Sequence, residues 1–167
     1  MTNKFLQAVE IVLKHEGGLV DHPNDPGGIT NYGISLRSYP ELGPEGIRNL
    51  TKKQAIDIYH RDWWDRFRYD TIRDLRVAGK VFDLAVNMGP RPAHRILQSA
   101  LNHLGHDLVV DGLLGPLTFS ATNQTDAEKL QEAICFFAAE HYYRLARNRR
   151  PLRTFLLGWL NRAYHRL

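Results

Sequence analysis

The chain has 167 residues, of which 43% are hydrophobic and 10% aromatic, and its formal net charge is +4. This length fits one domain, or one domain with a small module packed on it, and the composition is too apolar for a disordered protein. The apolar runs are too short to span a membrane, so we expect a soluble protein with no membrane span.

The first predicted element is a helix over residues 4–16. Phe5, Val9 and Val12 recur at helical spacing and define its apolar face. Residues 17–49 are rich in Gly and Pro and predict an irregular segment, in which Ile29–Ile34 is a short strand or hairpin arm. A connection of this length inside a compact domain is usually functional.

The rest of the chain predicts helices. Thr51 and Gln54 form a capping-box pattern that opens a helix with Ala55, Ile58, Tyr59 and Trp63 on one side. Further helices are predicted over 74–88, 93–104, 127–148 and 152–165. Cys135 is the one cysteine of the chain and lies in an apolar run, which predicts a core position. The fold is therefore predicted to be mainly α, a helical domain with at most a very small β-hairpin.

Glu16 is the strongest candidate for a catalytic residue. It continues the apolar face of the first helix and precedes Gly17, which can adopt the positive φ that ends a helix. A carboxyl group at such a position is poorly solvated, which predicts a raised pKa for Glu16. A protonated carboxyl near neutral pH can act as a general acid. A half-exposed or ion-paired glutamate is the alternative.

The segment after Glu16 supplies the other candidates. Asp25 and Thr30, together with Glu16, fit a glycosidase, in which one carboxyl group protonates the leaving oxygen and a second activates water or stabilises positive charge. Asp25 could equally cap the turn that follows it. No metal or cofactor is expected, because the zinc pattern that starts at His15 would require a second histidine at Leu19.

The run from His15 to Ile34, HEGGLVDHPNDPGGITNYGI, resembles the signature of glycoside hydrolase family 108, the lysozyme-like N-acetylmuramidases. Further matches are Ile58-Tyr59, Trp63-Trp64 and Asp83-x-x-x-Asn87-x-Gly89. The resemblance implies that Glu16 is the catalytic acid and that the substrate is peptidoglycan, cut between N-acetylmuramic acid and N-acetylglucosamine. The spacing of Glu16, Asp25 and Thr30 is also similar to the catalytic triad of tailed-phage lysozymes, although Thr30 follows Asp25 one residue too early.

Four residues are candidates for lining a sugar-binding cleft, because aromatic faces and amides suit sugars; they are Tyr32, Trp63, Trp64 and Asn87. For each of them, a role in core or helix packing is the alternative. Asp83 and Asn87 lie one turn apart on a predicted helix and can present polar groups together.

The second half resembles the peptidoglycan-binding segment that commonly follows this catalytic region. The pattern runs from Leu97-Gln98 to Asp111-Gly112 and Gly115-Pro116, and Gly158–Arg162 resembles its end. We therefore predict a lysozyme-like catalytic region over 1–91 and a peptidoglycan-binding helical segment over 92–167 packed on it.

The C-terminal region is basic, with seven Arg and no acidic residue from Arg144 to Arg166. Such a face suits an anionic partner, or is simply solvated. The alternative function is therefore a non-catalytic or weakly catalytic wall-binding protein that uses these helices. No nucleic-acid recognition motif is present, so no nucleic acid is expected as a partner.

Residues 1–20 lack a continuous apolar stretch and a cleavage site, so no signal peptide is expected. We expect synthesis in the cytoplasm and action in the periplasm or on the cell wall, with a holin or an export system giving access. The family occurs in phage lysis cassettes and in bacterial secretion systems.

Overall fold

The computed structural model describes residues 1–20 and 28–165. The chain forms two compact units, Met1–Arg66 and Phe67–Leu167. The prediction of a mainly α-helical fold with one very small hairpin is confirmed for the described residues. The boundary predicted from the motifs lies at 91/92 rather than between the two compact units, and it stays a prediction.

The first unit is built on α1, Asn3–Glu16, whose N-terminus is capped by the side chain of Thr2. Its buried face includes Phe5, Val9 and Val12, as predicted. Gly17 ends the helix with a positive φ of 73°, and its N–H donates to Leu13 O at 3.1 Å. The predicted role of Gly17 as the residue that ends the helix is confirmed.

A two-stranded hairpin follows, formed by β1, Thr30–Asn31, and β2, Ile34–Ser35. The two residues of its turn, Tyr32 and Gly33, both have positive φ, at 50° and 77°. This is the backbone of a two-residue type I′ turn, which matches the twist of the strands. The predicted hairpin arm is therefore confirmed.

The prediction that the whole of residues 17–49 outside this hairpin is irregular was wrong. A 3₁₀ turn, Pro40–Leu42, leads into a short helix, α2, Gly43–Arg48. Two glycines and a proline in six residues conceal the helix from a periodicity argument, whereas Pro44 in its first turn fits a helix start. Asn31 on β1 donates its side-chain amide to three carbonyls beyond or at the end of α2, those of Ile47, Arg48 and Leu50, at 3.1–3.3 Å.

The helix α3, Lys52–Tyr59, begins with the predicted capping box of Thr51 and Gln54. It continues as a π-helical segment, His60–Asp65. A π turn spans one residue more than an α turn, so the buried side chain is Trp64, five residues after Tyr59, and not Trp63. Trp63 is half-buried, so it does not share the full burial of Ala55, Ile58 and Tyr59, with which the sequence placed it on one side. Trp64 packs on Phe5 of α1, with ring centroids 5.5 Å apart.

The second unit contains the remaining helices. A 3₁₀ turn, Tyr69–Thr71, precedes α4, Leu75–Met88, and Gly89 separates α4 from α5, Pro90–His103. Then come α6, Pro116–Gln124, and α7, Ala127–Asn148. The predicted C-terminal helix is a 3₁₀ segment, Arg150–Phe155, followed by α8, Leu156–Tyr164. Cys135 is buried on α7, which confirms its predicted core position.

An ion pair inside the second unit joins α4 to α8. The guanidinium of Arg162 donates to both carboxylate oxygens of Asp83, at 2.8 Å to Oδ1 and 3.1 Å to Oδ2, and both side chains are buried. Lys80 donates to the carbonyls of Arg162 and His165 at the end of α8, and burial lowers the pKa of this lysine. Arg162 therefore belongs to the core and not to a basic surface.

Within the described residues, no helix has the length and apolar character needed to cross a membrane.

Candidate active site

The candidate active site lies where α1 ends beside the hairpin turn of the first unit. Glu16 is the last residue of α1 and is half-buried. A Cβ built on Gly33 would lie 2.7 Å from Glu16 Cγ and 2.9 Å from Glu16 Cβ. The backbone of the hairpin turn therefore packs directly on the aliphatic part of the glutamate side chain, at a distance that only glycine allows.

Tyr59 fixes the turn in this position. Its hydroxyl group donates to the carbonyl of Tyr32 at 3.0 Å, and the Cβ position of Gly33 lies 2.4 Å from the same hydroxyl oxygen. Tyr59 is buried on α3, so one rigid side chain connects this helix to the turn beside Glu16. Packing on the aliphatic part of Glu16 restricts the rotamers of this side chain, which is what a positioned proton donor requires.

Beyond Glu16 the backbone is open. Gly17 and Gly18 are exposed, and no described atom lies within 4 Å of a Cβ built on either of them. The chain then reaches Val20, which pairs with Thr30 through two backbone hydrogen bonds of 2.7 and 2.9 Å. Thr30 is half-buried, and its hydroxyl lies 3.5 Å from Gly28 O. Asp25 lies outside the described residues.

Trp63 and Trp64 differ in environment although they are adjacent. Trp64 is 1% exposed and belongs to the core, which favours the packing alternative for this residue. Trp63 is half-buried, and its side chain forms a hydrogen bond with the Tyr39 hydroxyl. The same hydroxyl forms a hydrogen bond with Asp62. Burial raises the pKa of Tyr39, while its hydrogen bond to Trp63 acts in the opposite direction. Trp63 is thus held in place and remains a candidate for sugar contact.

The side chains of Asn87 and of Asp83, one turn earlier, both form hydrogen bonds within the second unit. Tyr142 on α7 donates its hydroxyl to Asn87 Oδ1 at 2.7 Å, and Asp83 is paired with Arg162. For Asn87 the structure favours the helix-packing alternative. Asp83 and Asn87, predicted to present polar groups together, bind different partners, Arg162 and Tyr142.

The motif residues of the C-terminal segment build a loop. The side chain of Gln98 donates to Asp111 Oδ1 at 2.8 Å and to Leu113 O at 3.0 Å, and it accepts from Gly112 N at 2.8 Å. His94 contacts Gly112 O through Nδ1 at 3.1 Å. The Leu-Gln and Asp-Gly elements of the motif therefore hold the connection between α5 and α6.

The main contacts that the sequence did not reveal are those of Gly33 with Glu16 and of Tyr59 with the hairpin turn. The signal for Gly33 was present, because a glycine in a two-residue connection between short strands is typical of a type I′ turn. Its approach to Glu16 is a tertiary contact that no local pattern encodes. Within residues 1–20 and 28–165, no cluster of three or more His, Cys, Asp or Glu side chains could hold a metal ion.

Comparison with known proteins agrees with this geometry. Residues 9–89 match the Glycosyl hydrolase 108 family, and residues 92–164 match a predicted peptidoglycan domain. The solved structure of SagA from Brucella abortus is similar, with a TM-score of 0.76 and 30% sequence identity over 95% of this chain and 88% of that chain. No protein with a curated description gave a significant match.

The fold and the matched sequence define a glycoside hydrolase that acts on peptidoglycan. The chain belongs to glycosyl hydrolase family 108.

Proposed function

We propose that the protein is an N-acetylmuramidase. It cleaves the β-1,4 bond between N-acetylmuramic acid and N-acetylglucosamine, with Glu16 as the general acid that protonates the leaving oxygen. The observation that supports the proposal is the packing of the turn at Gly33 on the aliphatic part of Glu16, followed by two exposed glycines near which no described atom lies. Such packing restricts the side chain that carries the proposed acid.

Asp25 is the proposed second carboxylate, which activates water or stabilises the positive charge on the sugar. Thr30 is proposed to hold a water molecule or a sugar hydroxyl. The pairing of Val20 with Thr30 supports these assignments, because it fixes both ends of the segment that carries Asp25. Tyr32 and Trp63 are proposed to contact the glycan.

The test is the substitution Glu16→Gln, which preserves shape and removes the proton. We expect hydrolysis of purified peptidoglycan to fall by about 10²- to 10⁴-fold, with an unchanged circular dichroism spectrum. Mass spectrometry of the wild-type digest should show muramic acid at the new reducing ends. Reducing-end glucosamine would instead indicate a glucosaminidase, and released peptides would indicate an amidase or peptidase.

Glu10→Gln is the matched control. Glu10 lies on the same helix, is exposed, and forms an ion pair with Lys52 at 2.8 Å. We expect this variant to hydrolyse peptidoglycan at the wild-type rate, because an exposed ion pair contributes little to stability. A Glu16→Gln protein that is as active as the Glu10→Gln protein would exclude Glu16 as the acid.

A further inference from the structure

One face of α7 carries large side chains that the second unit does not bury. Phe136 is 55% exposed and Tyr143 is 51% exposed, and Arg144 and Arg147 are exposed beside them. The other face of α7 supplies the core, with the buried residues Leu130, Ile134, Ala138, Tyr142 and Ala146. The fold therefore accounts for one face of this helix and not for the aromatic side chains on the other. Clustered exposed apolar groups with polar neighbours commonly mark a binding surface.

These four residues lie on one side of α7, with the exposed Glu140 between Phe136 and Tyr143. Counted from Phe136, the others follow after 7, 8 and 11 residues, so all project from one side of the helix. The stripe is about 16 Å long, at 1.5 Å per residue. We call Phe136, Tyr143, Arg144 and Arg147 the aromatic–arginine stripe.

The stripe borders two grooves of the second unit. One groove of about 620 Å³ is lined by Tyr143, Arg144 and Arg147. A second groove of about 330 Å³ is lined by Phe136 and Arg144 together with Arg95 of α5. Arg144 borders both grooves, and its guanidinium lies 3.3 Å from His141 Nδ1.

The charge of this surface is positive. Arg95, Arg144 and Arg147 face the two grooves, and Glu140 is the acidic residue among the lining side chains of both. Guanidinium groups bind carboxylates through paired hydrogen bonds, and aromatic faces pack against the apolar faces of sugars and of small side chains. The surface is thus complementary to a ligand that carries carboxylates beside sugar or aliphatic groups.

We propose that the aromatic–arginine stripe binds the stem peptides of peptidoglycan. The free carboxylates of the stem contact Arg144 and Arg147, while Phe136 and Tyr143 pack on the stem side chains and the adjoining sugar. The choice of ligand rests on the proposed function and on the match of residues 92–164 to a predicted peptidoglycan domain. The stripe would hold the wall polymer through the second unit, separately from the carboxyl group that cuts it.

The test measures binding without turnover. The full chain carrying Glu16→Gln is sedimented with purified sacculi, alone and with Arg144→Gln/Arg147→Gln or Phe136→Ala/Tyr143→Ala added. We expect Arg144→Gln/Arg147→Gln to weaken binding to sacculi roughly tenfold, because charged hydrogen bonds are lost. The difference between this variant and its parent should be smaller at high salt. Glycan strands from which an amidase has removed the stem peptides should bind weakly, and the arginine substitutions should then make little difference.

The matched control is Arg149→Gln/Arg150→Gln. It removes the same charge from exposed positions that line neither groove. Equal weakening by this control would overturn the proposal, because total charge would then explain the binding. Undiminished binding of the stripe variants to sacculi would also overturn it. So would binding to phosphatidylglycerol vesicles, or formation of a dimer, that depends on Arg144 and Arg147 as strongly as binding to sacculi does. Because the assay needs no hydrolysis, failure of the proposed muramidase activity would leave its result interpretable.

Discussion

Replacement of Gly33 by alanine tests the packing of the hairpin turn on Glu16. The added Cβ would lie 2.4 Å from Tyr59 Oη and 2.7 Å from Glu16 Cγ, whereas ordinary contacts begin near 3.4 Å. Either the turn must therefore move by about 1 Å, or both the Tyr59 hydroxyl and the Glu16 side chain must move away from it. The φ of 77° at Gly33 adds a second cost in stability, since residues that carry a Cβ atom disfavour that region.

The two costs have different magnitudes. Overpacking typically costs about 1–3 kcal/mol, and a positive φ at a residue with a Cβ costs about 1–2 kcal/mol. We therefore expect Gly33→Ala to lower the free energy of unfolding by about 2–5 kcal/mol. If Glu16 moves by about 1 Å, hydrolysis should fall by about 100-fold even at temperatures where the variant is folded.

The variant Gly43→Ala measures the cost of a positive φ without the added cost of a close contact to another side chain. Gly43 also has a positive φ, 65°, and no described atom lies within 4 Å of its Cβ position. We expect it to lose only about 1–2 kcal/mol, measured by urea unfolding, and to keep the wild-type rate of reducing-end release from peptidoglycan. Equal stability and equal activity of the Gly33 and Gly43 variants would refute the packing of the turn on Glu16.

Three further predictions concern the supports of the two units. Asn31→Ala leaves three carbonyls without their amide donor and should cost about 1–3 kcal/mol in urea unfolding, which Asn31→Asp should not restore because a carboxylate cannot donate. Asp83→Asn leaves Arg162 buried without its counter-charge and should cost about 3–5 kcal/mol, whereas Asp83→Leu/Arg162→Met should cost less than the single change. Burial lowers the pKa of His94, so the unfolded chain takes up a proton first as the pH falls below about 6.5. Stability should therefore fall from pH 7 towards pH 5, and His94→Gln should show a smaller decrease in thermal unfolding temperature over that range; an identical decrease would contradict the assignment.

The long helices could be predicted because their signals are local. The apolar period of α1, the capping box of Thr51 and Gln54, and the Gly89-Pro90 break fix the ends of helices within a few residues. The π-helical segment His60–Asp65 could not be predicted in this way. It places Trp64 against Phe5, a residue 59 positions earlier, and the packing of that pair overrides the α-helical spacing that put Trp63 on one side with Ala55, Ile58 and Tyr59.

In the candidate site, too, the local features could be predicted and the tertiary contacts could not. Glu16 could be selected because its position on the buried face and the glycines after it are visible in the sequence. Its packing could not be predicted, because Gly33 reaches Glu16 only after the hairpin has folded and Tyr59 of α3 has bonded to the turn. In the basic C-terminal region a local pattern does not indicate the environment of each residue. Arg162 belongs to the run of arginines, yet it pairs with a buried aspartate.

Resemblance to a family does not by itself distinguish catalytic residues from residues that support the fold, but the contacts of this chain show which motif residues use their polar groups within the fold. The motif residues Asp83 and Gln98 use their polar groups within the second unit, on Arg162 and on the loop that follows α5. Glu16 and Gly33, from the same family signature, meet where the backbone is open. The positive φ of its turn already favours a glycine at position 33, and the missing side chain also lets the turn pack on the aliphatic part of Glu16. The proposed role of Glu16 therefore depends on the activity of the Glu16→Gln variant and not on the presence of Gly33.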